Sequence, residues 1–67
     1  MKQRILEASK AHFEAHIFKH QVNIETILNN PMAIPEHTDI MEAVEKELAI
    51  MAEYDDKLEM LNKYFSK

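Results

Sequence analysis

The sequence predicts an all-α fold, an antiparallel two-helix hairpin that dimerises into a four-helix bundle. Three observations carry this expectation. Two long segments show helical apolar spacing, and the only two prolines, Pro31 and Pro35, sit between them. The first segment also carries two apolar stripes, of which one partner helix can cover only one. The chain of 67 residues is accordingly read as a single helical-hairpin domain, with a helix over about 2–29, a turn over 30–37 and a helix over about 38–65.

In the first helix, Phe13, Ile17, His20, Ile24 and Ile27 follow the alternating four-and-three spacing of a helix–helix seam. Leu6 extends that seam backwards and Lys10 interrupts it. Ala8, Ala11, Ala15, Phe18 and Val22 form the second stripe, on roughly the opposite side. Asn29 and Asn30 precede Pro31, and the residue before a proline is pushed out of the helical region, so the helix should end near Asn29. His37 or Thr38 can cap the second helix, with Asp39 in its first turn facing the positive end of the dipole. Met41, Val44, Leu48, Met51, Tyr54, Leu58, Leu61 and Phe65 read as its main stripe, widened by Ile40, Ala43, Ile50 and Tyr64. Each helix would run roughly 42 Å at about 1.5 Å per residue, and equal lengths with a short connection favour antiparallel packing. In that register His20 falls opposite Glu47, and His12 near Tyr54 and Asp55.

A lone hairpin would leave a contiguous apolar patch in water, which monomers avoid. The expected oligomer interface is Ala8, Ala11, Ala15, Phe18, Val22, Ile40, Ile50 and Tyr64, in a homodimer of twofold symmetry.

Composition narrows the chemistry. There is no cysteine, hence no disulfide and no thiolate ligand or nucleophile, and no glycine for a phosphate-cradling loop or nucleophile elbow. The longest apolar run, Leu48 to Ala52, is too short for a signal peptide or a transmembrane segment, so the expected location is intracellular, in a host cytoplasm, or on a virion. The net charge is −4, with a slightly basic first half and an acidic second half. That balance suits two segments packing together and disfavours a nucleic-acid partner.

His12, His16 and His20 form a ladder of i,i+4 steps, the spacing at which two imidazoles can share a metal ion. The spacing does not close a site by itself. A seam His20 hydrogen-bonded to Glu47, with His12 and His16 on a half-exposed flank, is the favoured reading. Neither the Glu-x-x-His pairs of di-metal bundles nor the His-Glu-x-x-His zinc motif occurs. Asp55 and Asp56, and the run Glu42, Glu45 and Glu47, read as a solvated helix face, because an acid–base pair needs a partly dry cleft. The five methionines read as core filler in helical register. No catalytic residue and no cofactor is expected.

The stretch from Asn30 to Ala43, with Asn30-Pro31, Glu36-His37, Asp39-Ile40 and Glu42-Ala43, resembles short uncharacterised helical proteins of marine tailed phages related to the T4 group. The likeness runs from about Ile24 to Leu61, and departs at Ala33 and Pro35, where glycines are expected, and at Thr38, where proline is. It implies a phage or marine metagenomic source and brings no assigned activity or site residue. Pro31, Pro35, Glu36, His37 and Asp39 make the turn a candidate recognition loop at the end of the bundle. The function expected is a non-enzymatic structural or protein-interaction module, a phage accessory or virion-associated protein whose first partner is itself, then a phage or host protein. The alternatives are a small regulator binding a host protein or RNA, and a metal-binding bundle built on the histidine ladder.

Overall fold

The computed structural model describes the backbone of residues 1–29 and 37–65 and the side chains of 1–29 and 39–65. Two helices are present among them, α1 (Lys2–Asn29) and α2 (His37–Phe65), packed against each other. The first closes its initial turn with the Ile5 N–H donating to the Met1 carbonyl at 3.1 Å. No acidic residue faces the positive end of its dipole. The second is better matched, with Asp39 in its first turn and Lys63 in its last. It starts at His37, and α1 ends at Asn29, the residue where the proline rule places the break. The turn of Pro31, Pro35 and Glu36 lies outside the described residues, as does the His37 side chain; Asp39 is exposed.

The pairing is antiparallel. His20 meets Glu47 near the turn, His12 approaches Tyr54 midway, and Leu6 and Leu61 line one crevice at the far end. On α1 the half-buried positions follow a three-and-four rhythm through Leu6, Ser9, Phe13, His16, His20, Asn23 and Ile27, with Ile17 and Ile24 alongside. Four of these are polar; His20 already stands in the predicted seam, while Ser9, His16 and Asn23 are passed over by a search for apolar spacing. On α2 the inward line is Ile40, Val44, Glu47, Met51, Tyr54, Leu58 and Leu61, flanked by Ala43 and Ile50.

This line corrects the expected stripe of α2. Met41 is 73% exposed and Leu48 52% exposed, each about 100° around the helix from the inward positions Ile40 and Glu47 that precede them. Phe65 lies at the seam's angle but is exposed at the open end of the hairpin. Ile40 and Ile50, expected at a dimer interface, are half-buried on the inner side of their own hairpin.

The molecule is a rod, with extents of 48 × 15 × 12 Å and a radius of gyration of 15.2 Å, against about 11 Å for a compact chain of this length. Its accessible surface is 5482 Å², where a compact monomer of 7.9 kDa exposes about 4,400 Å². Among the described residues none is fully buried. Two helices share one seam, and each seam side chain keeps an edge in water.

Candidate functional site

The middle of the seam is where chemistry-bearing side chains converge. The α1 positions His12, Phe13, His16 and His20 follow one another at helical spacing, and Tyr54 of α2 enters among the first three. The His16 and Tyr54 rings stack at 4.4 Å between centroids with 9° between planes. His12 meets Tyr54 edge-on at 6.2 Å, and Phe13 lies 6.1 Å from it. His12 and His16 pack edge-to-face at 4.5 Å. On α2 the Lys57 ammonium lies 4.7 Å from the Tyr54 centroid and 3.0 Å from Glu53, one helical turn before it.

His16 Nδ1 is enclosed and has no hydrogen-bond partner. Desolvation lowers the pKa of His16 below the ordinary 6.5, and the charges of His12, Lys19, His20 and Lys57 lower it further. His16 is therefore a neutral aromatic plate at neutral pH. It belongs to the seam and not to a half-exposed flank, because its ring finds the face of Tyr54.

Two turns along α2 from Tyr54 towards the hairpin's closed end, Glu47 holds two α1 side chains at once. Its Oε2 pairs with His20 Nδ1, and its Oε1 accepts from Asn23 Nδ2 at 3.0 Å. The His20 and Glu47 side chains are only 12% and 20% exposed, so the pair is shielded from water and from salt. The expected His20–Glu47 contact is present, and Asn23 joins it.

The ladder does not gather into a metal centre: among the described residues no group of three or more His, Asp or Glu side chains is placed to hold an ion. His12 and His16 meet ring to edge and His20 is engaged by Glu47, so no lone pairs converge on one point. An open crevice of about 650 Å³ lies between the helix ends, lined by Lys2, Leu6, Lys10, Leu61, Tyr64 and Phe65 among others. Its lining mixes the polar groups of Gln3, Glu7 and Asn62 with these residues, and it stands open to solvent.

The second feature is the outer face of α1. Ala8, Ala11, Ala15, Phe18 and Val22 are all exposed, Phe18 to 65%. Tyr64, expected with them, is 62% exposed at the open end of the hairpin, far along the rod from Phe18. No described helix is long and apolar enough to cross a membrane. No family model, curated protein or solved structure matches the chain.

Proposed function

We propose that the protein is a non-enzymatic, self-associating helical module, a homodimer that serves as a structural or interaction element. The phage accessory or virion-associated role implied by the likeness at the turn is part of this reading. One observation carries the self-association: the hairpin leaves about 1,000 Å² more surface in water than a compact chain of its mass, with no described residue fully buried. It hides only about half of the surface of the unfolded chain, below the roughly 60% of already marginal small domains. An association partner supplies the missing burial, and a second copy is the commonest such partner.

Sedimentation equilibrium from low micromolar concentration upward tests this reading. A species of twice the 7.9 kDa chain mass is expected. A helical monomer throughout the range would refute it.

A further inference from the structure

At about 100° per residue, Ala8, Ala11, Ala15, Phe18 and Val22 fall within an arc of roughly 80° on α1, centred nearly opposite its seam with α2. A square four-helix bundle requires two contact faces about a quarter turn apart on each helix. The faces of α1 are instead about half a turn apart, which suits helices lying in a row. The stripe has two unlike edges. Glu7, Glu14 and Glu25 line one side, His12 and Lys19 line the other, and all five are exposed. Among the described residues neither Glu14 nor Lys19 has an ion-pair partner within its own hairpin.

We propose that two copies associate back to back through this stripe with their α1 helices parallel, giving the row α2–α1–α1–α2; the inference rests on the self-association proposed above. The charge pattern selects the direction. A twofold axis along the helices brings the acidic edge of each copy against the basic edge of the other. Glu14 then meets Lys19 of the partner subunit, and Glu7 meets His12 of the partner subunit, at the five-residue offset of flanking pairs in a parallel coiled coil. A twofold axis across the helices sets Glu14 against its own copy and Lys19 against His12. Like charges then face each other along the acidic edge, and Lys19 finds no carboxylate along the other. Arg4, at the stripe's N-terminal end, meets its own copy in the parallel arrangement, and its long stem can turn the charge to water.

The three alanines let the helix backbones approach closely, while Phe18 and Val22 supply the apolar area. The excess exposed surface of about 1,000 Å² per chain compares with the roughly 800 Å² that a protomer loses at a standard interface. Four helices in a row also leave the seam of each hairpin as it is, with the His16–Tyr54 stack and the Glu47 pairs undisturbed.

The chain contains no cysteine, so single-cysteine variants report geometry cleanly. Ala8→Cys and Val22→Cys proteins, each oxidised alone and as a mixture, form same-position disulfides in the parallel arrangement. Lys19→Glu weakens the dimer about tenfold by sedimentation, and Glu14→Lys with Lys19→Glu restores it. Cross-linking only between position 8 of one chain and position 22 of the other, with no weakening by Lys19→Glu, would mean an antiparallel pairing. That outcome overturns this inference and leaves self-association standing. A dimer that forms neither disulfide uses another face, which also overturns it. A helical monomer at every concentration overturns both proposals.

Discussion

His16 shows how a polar residue becomes part of a helix–helix seam. Its ring lies flat on Tyr54 at 4.4 Å while its Nδ1 is enclosed without a partner. Its surroundings favour the uncharged imidazole, because protonation would place a cation in a desolvated position beside His12, Lys19, His20 and Lys57. The unfolded chain binds a proton at His16 near pH 6.5, whereas the folded chain resists it to lower pH. The unfolded state thus holds more protons in that window, and stability falls as the pH drops from about 6.5 towards the depressed folded value. Charged and titratable groups facing His16 include Lys57 and Tyr54 across the seam and His12, Lys19 and His20 on its own helix. Urea denaturation of the protein and of a His16→Phe variant between pH 7.5 and pH 5 isolates the effect, since Phe keeps the aromatic plate and removes the proton site. The variant is expected to lose less stability on acidification. Equal slopes for the two proteins would exclude His16 as a source of acid sensitivity.

On the scale of the helices, Glu47 does for register what apolar contacts cannot. Leucine and isoleucine seams tolerate sliding by a turn, whereas a shielded carboxylate bound to both His20 and Asn23 fits one alignment. Glu47→Ala removes the acceptor for both groups and is expected to cost about 1–3 kcal/mol, because His20 and Asn23 then lie half-buried and unpaired. Replacing Glu47, His20 and Asn23 together by leucine is expected to recover most of that stability and to lose the unique register, visible as line broadening and doubled amide resonances. A single sharp set of resonances from the triple variant would show that apolar packing alone sets the alignment. Much at this scale was legible in the sequence: the paired prolines and asparagines mark the break, and equal arms on either side of a short turn place His20 opposite Glu47. The inward line of α2 was less so. Met41 and Leu48 are as apolar as Ile40 and Met51, and only the position of α1 decides which of them is covered. Ser9, His16 and Asn23 were missed because an apolar search gives them no weight, although their three-and-four spacing with Leu6, Phe13, His20 and Ile27 was there to be read.

The whole molecule is a thin rod whose stability should depend on its own concentration. The two-helix seam has no fully buried residue among those described, and on the proposed self-association the thermal midpoint should rise with chain concentration. Two exposed apolar side chains discriminate how that association is made. Phe18, 65% exposed, is the largest side chain of the outer stripe of α1, while Leu48, 52% exposed, lies on a lateral flank of α2. Within a single hairpin the two truncations Phe18→Ala and Leu48→Ala would cost similar, small amounts, since each residue already stands largely in water. Back-to-back pairing through α1 separates them. Phe18→Ala is expected to raise the dimer dissociation constant at least tenfold and to flatten the dependence of the midpoint on concentration, as loss of a large aromatic anchor does. Leu48→Ala should change the constant by less than about threefold, as expected for a residue outside the contact. Equal weakening by both would mean that α2 contributes its flank to the interface, and the row of helices would give way to a bundle in which the hairpins meet face to face.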